Sequence, residues 1–139
     1  MKKTLLLLSF AVISTIMALS AFAGSAVVVR GEVPFDFFVE NQLLPAGEYH
    51  FEMGSTGGAT TSTVTIRTKE GTVVAFAATK SGNRLTNASQ LTFNQYSGKY
   101  FLSSVESVGY KASLRTTSHE RELMSLPGST QAALIFPTR

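Results

Sequence analysis

The sequence predicts an all-β protein, a single-domain antiparallel β-sandwich or flattened barrel of about seven to nine strands with one short helix near residues 117–124. Three observations support this class. Short segments alternate apolar and polar side chains with a period of two. Clusters of glycine, serine, threonine and asparagine separate these segments. A single segment combines a helix-capping pattern with helical spacing of its apolar residues.

A secretory signal peptide is predicted at residues 1–23, followed by a β-sandwich domain at residues 24–139. Lys2-Lys3 forms a charged n-region, residues 5–19 are apolar, and Ala21-Phe22-Ala23 is a small-x-small cleavage site. The apolar run is about 15 residues, shorter than the roughly 20 that a membrane-spanning helix needs, so a permanent anchor is the less favoured alternative. We therefore expect a secreted or periplasmic protein with no stable membrane insertion after signal cleavage.

The charge and the cysteine count exclude several classes of protein. Signal removal takes two of the twelve Lys and Arg residues and leaves nine Asp and Glu residues, so the mature domain carries a net charge of +1. The basic residues are scattered along the chain, which argues against a nucleic-acid partner. The chain has no cysteine, which excludes disulfides, thiolate catalysis and cysteine zinc sites. Stability must therefore come from the apolar core.

The first predicted strand is at 26–30, and Gly31 after it is interpreted as a bulge or kink. The next stretch, 33–53, is predicted to be one β-hairpin because apolar residues alternate along both of its arms. Asn41 and Pro45-Ala46-Gly47 are assigned to its turn, with the glycine at positive φ. The side chains predicted to face the core are Phe35, Phe37, Tyr49 and Phe51.

The middle of the chain is predicted to contain a second hairpin between two loops. Residues 54–62 have no large apolar side chain and are predicted to be a mobile loop. Strands at 63–68 and 72–79 flank Lys69-Glu70-Gly71, which has glycine where a short hairpin needs it. The second of these strands is apolar on both faces, which predicts a central position with cover on both sides. Residues 80–90 are polar and rich in turn residues, which predicts a second long loop.

The last third of the chain is predicted to contain four strands and the helix. The first two strands form a third hairpin around Ser97-Gly98. Thr117 and Glu120 form a capping box for a helix over 117–124, and Pro127-Gly128 ends it. The four strands are predicted at 91–96, 99–105, 108–115 and 131–136.

Two clusters of polar residues are candidates for chemistry. Glu48, His50 and Glu52 lie on one face of a strand, but the outer pair is about 13 Å apart, so one ion could reach at most two of them. A solvated face with a cross-strand partner such as Arg67 is the favoured interpretation.

The second cluster is His119-Glu120-Arg121-Glu122, which resembles part of a metal or acid–base site. The HExxH zinc pattern needs a second histidine at position 123, which is Leu123. Helix-dipole partners and surface charge explain the glutamates adequately. Neither a GxSxG elbow nor a GxxxxGK[ST] phosphate loop occurs in the sequence. The sequence therefore assigns no catalytic, cofactor-binding or metal-binding residue and no cofactor.

Four aromatic residues form a further candidate surface. Phe38, Tyr96, Phe101 and Tyr110, if exposed together, could stack on a sugar ring or contact a partner protein. Packing of these rings under a second sheet or a loop is the favoured alternative, because it is the commoner environment of phenylalanine.

Three segments resemble the motifs of a family of small exported bacterial proteins that are numerous in soil bacteria: VPFDFFVENQLLPAGEY, LTFNQYSGKYFLSSV and SHEREL. Members of that family carry a similar PFDF…LPAG.Y hairpin, an F..Y…YFL hairpin and a terminal S..ERE.. segment. The resemblance covers most of residues 33–123 and implies a secreted all-β protein. It implies no catalytic residues.

These observations lead to three hypotheses about function. The first is a secreted, non-catalytic β-sandwich that acts as a binding or structural module of the cell envelope or extracellular space, with an unknown protein or carbohydrate ligand. The second is a self-associating surface or adhesion-type subunit that adds strands between chains at edge strands 26–30 or 131–136. The third is a small hydrolase or metal-dependent enzyme.

The first prediction concerns export. We expect the mature protein to begin at Gly24, because the Ala21-Phe22-Ala23 site follows an apolar run of signal-peptide length. N-terminal sequencing and intact mass of the exported protein measure this directly. Exported protein that keeps residues 1–23 would contradict the assignment.

Overall fold

The computed structural model of the chain describes residues 26–55, 61–82, 87–127 and 132–138, so the predicted signal peptide lies outside the described residues. The elements are β1 (Val27–Val33), β2 (Phe37–Val39), β3 (Gln42–Leu44), β4 (Gly47–Ser55), β5 (Thr61–Thr68), β6 (Val73–Gly82), β7 (Gln90–Tyr96), β8 (Lys99–Ser107), β9 (Tyr110–Leu114), α1 (Ser118–Ser125) and β10 (Ala132–Pro137). These elements confirm the predicted all-β fold with one short helix. The strand that the sequence did not predict is β3.

The strands form one hydrogen-bonded sheet that folds over on itself. Their order is β1-β4-β5-β6-β9-β8-β2-β3, and β7 pairs with both β8 and β10. The described ladders are antiparallel except for the one between β2 and β8, which is parallel over two residue pairs. A Cβ on Gly31 of β1 would lie 2.8 Å from Cδ1 of Leu91 of β7, although the two strands are far apart in the sheet order. The sheet is therefore a sandwich or flattened barrel with its core between two layers.

The prediction of a single hairpin over 33–53 is wrong. A shorter hairpin joins β2 to β3 through Glu40-Asn41, where Glu40 has a φ of 53°. Strand β4 pairs instead with β1 and β5, and Gly47 is not among the residues with positive φ. The alternation of apolar residues identifies each strand, but it does not determine which strand lies beside it.

Side-chain hydrogen bonds explain how the chain passes from β3 to β4. The Ala46 N–H donates to Oδ1 of Asp36 at 2.9 Å, and the Tyr49 hydroxyl donates to the Pro45 carbonyl oxygen at 2.6 Å. Pro45-Ala46-Gly47 is therefore a connection held by its neighbours rather than the tip of a hairpin.

The predicted bulge at Gly31 is also wrong. The ladder between β1 and β4 continues through Gly31 and Tyr49 without a change of register. The close approach of Leu91 explains why glycine is present, because a larger side chain would collide with it.

Both predicted long loops are shorter than expected. Strand β4 continues to Ser55 and β5 begins at Thr61, while β6 continues to Gly82. Serine and threonine extend these ladders through backbone hydrogen bonds, which need no large apolar side chain. The remainders of the two predicted loops that fall on 56–60 and 83–86 lie outside the described residues.

Two predicted turns and the predicted helix cap are confirmed, whereas the strand predicted at 108–115 is shorter and spans Tyr110–Leu114. Gly71 has a φ of 88° in the turn between β5 and β6. Ser97 and Gly98 have φ values of 49° and 77° between β7 and β8, as a two-residue hairpin turn of the primed type requires. The Glu120 N–H donates to the Thr117 hydroxyl at 3.1 Å, which caps α1.

Aromatic side chains fill the core between the layers. Phe37, Tyr49 and Phe51 are buried as predicted, and Phe35 is partly buried and stacks on Tyr100 with ring centroids 3.9 Å apart. The ring of Phe37 lies edge-on to the rings of Tyr49 and Phe93, with both centroid distances 5.4 Å. Phe37 therefore joins side chains from β4 and β7 across the core.

Strand β6 is central in the sheet, as predicted, but it is covered on one face only. Ala75 and Ala77 are buried, whereas Phe76 is 62% exposed. The prediction of cover on both faces is wrong because Phe76 and Ala78, on the face opposite Ala75 and Ala77, are exposed.

The second prediction compares two phenylalanines. Phe37→Ala should lower the free energy of unfolding by about 3 to 5 kcal/mol, because it leaves a cavity among buried rings. Phe76→Ala is the matched control and should change it by about 0.5 kcal/mol or less, because that ring is exposed. Urea unfolding of both variants measures the difference. Equal effects would contradict the burial described here.

Candidate functional site

A cleft of about 510 Å³ opens where β6, β9 and the start of α1 meet. Cationic and hydroxyl side chains dominate its lining, with one apolar wall. The lining residues are Lys80, Ser113, Leu114, Arg115, Thr116 and Arg121.

Two local structures bring these residues together. The ladder between β6 and β9 places Lys80 directly opposite Ser113. Thr117 then caps α1, and Arg121 follows one helical turn later. Arg121 donates from both its backbone N–H and its side-chain Nε to the Thr117 carbonyl oxygen, at 3.0 and 3.4 Å. The guanidinium group is therefore held at the start of the helix, beside the cleft.

The cleft is strongly cationic. Its described lining contains Lys80, Arg115 and Arg121 and no carboxylate. In the described part of the chain, none of these three forms an ion pair. Glu120 of α1 is buried and accepts a hydrogen bond from Asn94 at 3.1 Å, so its carboxylate is held against β7. A concave surface with positive charge of this kind concentrates anions.

A buried carboxylate network supports the strand that carries Ser113. Glu106 is fully buried and pairs with Lys111 at 2.8 Å. Gln90 donates to the same carboxylate at 2.7 Å and the Ser104 hydroxyl donates to it at 3.4 Å. The network ties β7, β8 and β9 together.

The four aromatic candidates do not form an exposed surface. Tyr96 and Phe101 are buried with Leu123 of α1, and Phe38 stacks on Phe101 with centroids 5.0 Å apart. Tyr110 is partly buried and its hydroxyl lies 3.0 Å from the hydroxyl of Ser81. The rings are packed rather than exposed, as the favoured alternative expects, but α1 and not a second sheet or a loop covers Tyr96 and Phe101.

Burial has an electrostatic effect in this aromatic cluster. It raises the pKa of Tyr96 above its ordinary value of 10.0, and the negative charge of Glu120 raises it further. The tyrosine therefore stays neutral well into the alkaline range, as its position beneath the helix requires.

The other two candidate clusters have structural roles. Glu52 pairs with Arg67 at 2.9 Å, as predicted, and Glu48 pairs with Lys69 at 3.0 Å. Across the described ranges, no group of three or more His, Asp or Glu side chains is placed to share a metal ion.

His119 also has a packing role. Its ring lies 5.5 Å from that of Phe38 and 5.8 Å from that of Phe101, so it contributes to the contact between α1 and β8.

The cleft is not predictable from the sequence pattern. Its basic residues are scattered along the chain, and Lys80 and Arg115 are 35 positions apart. Only the pairing of β6 with β9 brings them together. No local pattern in the sequence signals that pairing, because both strands would look the same beside other partners.

Comparison of the chain with models of protein families matches no family, and comparisons with curated proteins and solved structures match no protein. The resemblance to small exported bacterial proteins stays a prediction. No helix among the described residues is long and apolar enough to cross a membrane. Function is therefore inferred from the site itself.

The third prediction tests the buried network. Lys111→Met should lower the free energy of unfolding by about 3 kcal/mol, because it removes the Lys111 ammonium group from the buried Glu106 carboxylate. Lys69→Met is the matched control, since it breaks an ion pair whose two side chains are 68% and 44% exposed, and should have little effect. Thermal and urea unfolding measure both. Similar losses in the two variants would show that the network contributes no more than a surface pair.

Proposed function

We propose that the mature chain is a secreted, non-catalytic β-sandwich that acts as a binding module of the cell envelope or extracellular space and holds its ligand in the cleft. One observation supports this most strongly. Side chains from two strands and one helix converge on a concave space of about 510 Å³. That volume lies in the range of pockets that hold small organic ligands, about 300 to 1,000 Å³.

The scaffold around the cleft suits binding because the lining residues lie on or next to regular elements. Ser113 is fixed by ladders to both β6 and β8, and Arg121 is fixed by its two bonds to the helix cap. Side chains held by strands and helices keep their geometry when a ligand arrives, which reduces the entropy lost on binding.

The chemistry of the lining favours binding over catalysis. Guanidinium and ammonium groups donate hydrogen bonds and accept none, and the two hydroxyls come from Ser113 and Thr116. Among the described lining residues there is neither a histidine nor a carboxylate that could act as a general base toward either hydroxyl. The arrangement orients and neutralises a ligand.

The fourth prediction tests the cleft as the binding site. We expect some members of a set of neutral, cationic and anionic saccharides to bind the mature protein. These members should raise its thermal unfolding midpoint. Ser113→Phe should abolish that increase, because the phenyl ring occupies the cleft. Thr65→Phe on β5 is the matched control and should keep it, because that position lies outside the cleft lining.

Two results would contradict the proposal. An equal increase in Ser113→Phe and in the parent protein would place the ligand elsewhere. The absence of any increase across the whole set would remove the support for a saccharide-binding module.

Self-association is a second candidate function, and the sheet order favours it. In the described part of the chain, β1 pairs only with β4 and β10 pairs only with β7, so both have an open edge. The sequence pattern predicts edge strands in these same segments. An open edge can form hydrogen bonds with a strand of another chain. Light scattering over a range of protein concentrations distinguishes a monomer from a self-associating subunit.

A further inference from the structure

The charge and the donors of the cleft indicate what kind of ligand it holds. Building on the proposed function, we infer that the cleft binds a tetrahedral oxyanion, namely the phosphate or sulfate ester of a saccharide-sized molecule.

The charge favours an anion. Lys80 comes from β6, Arg115 directly follows β9 and Arg121 comes from α1, so three exposed cations from separate parts of the chain line one concavity. None of the three is paired with a carboxylate among the described residues. Like charges held in one concavity repel one another, and a bound anion removes that repulsion.

The donors fit a tetrahedral group better than a flat one. Each guanidinium presents a planar fork of N–H donors, and Ser113 and Thr116 add hydroxyl donors. A phosphate or sulfate ester offers three terminal oxygens pointing in different directions, whereas a carboxylate offers two in one plane. Donors that approach from β6, β9 and α1 can therefore all be used by the tetrahedral group.

The start of α1 also favours a phosphate-like anion. The capping residue Thr117 follows Thr116 of the lining directly, so the positive end of the helix dipole lies at the edge of the cleft. Backbone N–H groups at a helix start favour phosphate and similar anions, and here they reinforce three cationic side chains.

The size of the cleft leaves room for an oxyanion that is part of a larger molecule. A volume of about 510 Å³ is far more than a single inorganic ion fills. Leu114 supplies an apolar wall against which the non-ionic body of a ligand can pack. A nucleic acid is disfavoured, because these basic side chains gather in one concavity rather than along a stripe that could follow a backbone.

The fifth prediction uses four probes that share one sugar ring: glucose, glucuronate, glucose 6-phosphate and glucose 6-sulfate. Isothermal titration of the mature protein should show binding of both esters, at least about tenfold tighter than glucuronate, and no measurable binding of glucose. The tighter of the two esters identifies the natural group as phosphate or sulfate.

Variants of the two arginines test the geometry. Arg115→Ala and Arg121→Ala should each weaken ester binding by about tenfold or more. Arg115→Lys keeps the charge but loses the fork, so it should weaken ester binding measurably and reduce the preference over glucuronate. Lys99→Ala, at an exposed position at the start of β8 outside the cleft lining, is the matched control and should bind like the parent. Circular dichroism confirms that each variant is folded.

The outcomes separate this inference from the proposed function. Glucose binding that equals ester binding and is lost in Ser113→Phe would overturn the oxyanion inference and leave the binding module intact. Ester binding that is unchanged in both arginine-to-alanine variants would also overturn the inference. No binding of any of the four probes would also overturn the oxyanion inference. The proposed function fails only if the wider saccharide set gives no increase in the thermal unfolding midpoint that depends on Ser113.

Discussion

The fold depends on one short ladder. Four residue pairs join β6 to β9, from Thr79 with Leu114 to Gly82 with Lys111. Among the described residues this is the strand ladder that joins the half-sheet β1-β4-β5-β6 to the half that contains β8, and the Gln42 side-chain amide adds a hydrogen bond from β3 to the Val74 carbonyl oxygen of β6 at 2.6 Å. The rest of the contact between the halves is the core, where Phe37 and its neighbours pack across the two layers. The ladder sets the register and the core supplies most of the stability.

The functional argument depends on the same ladder. It places Lys80 against Ser113 and so builds one side of the cleft from two strands that belong to different halves. The buried Glu106 carboxylate and its partner Lys111 hold β8 and β9 together directly beside it. A carboxylate in such a place is stable only with its cation and hydrogen bonds, so the network also fixes the register of β9.

Local physics made much of the fold predictable. Turn residues located the hairpins around Gly71 and Gly98, the capping box located α1, and alternation located the core faces of β2 and β4. Each of these signals acts within a few residues of the chain. The pairing of β4 with β1, the exposure of Phe76 and the cleft all depend on contacts between distant segments, and the sequence pattern does not encode these locally. The hypothesis of an exposed aromatic surface is wrong because α1 covers Tyr96 and Phe101.

The position of the cleft at the joint between the half-sheets has a mechanical consequence. A ligand that contacts Lys80 on one half and Arg115 or Arg121 on the other would act as a crosslink across the joint. Its binding free energy would then oppose the opening of the sandwich, so the occupied domain would resist partial unfolding and the proteolysis that follows from it. Because the chain contains no cysteine and therefore no disulfide, a bound ligand would add a reversible link between the two half-sheets.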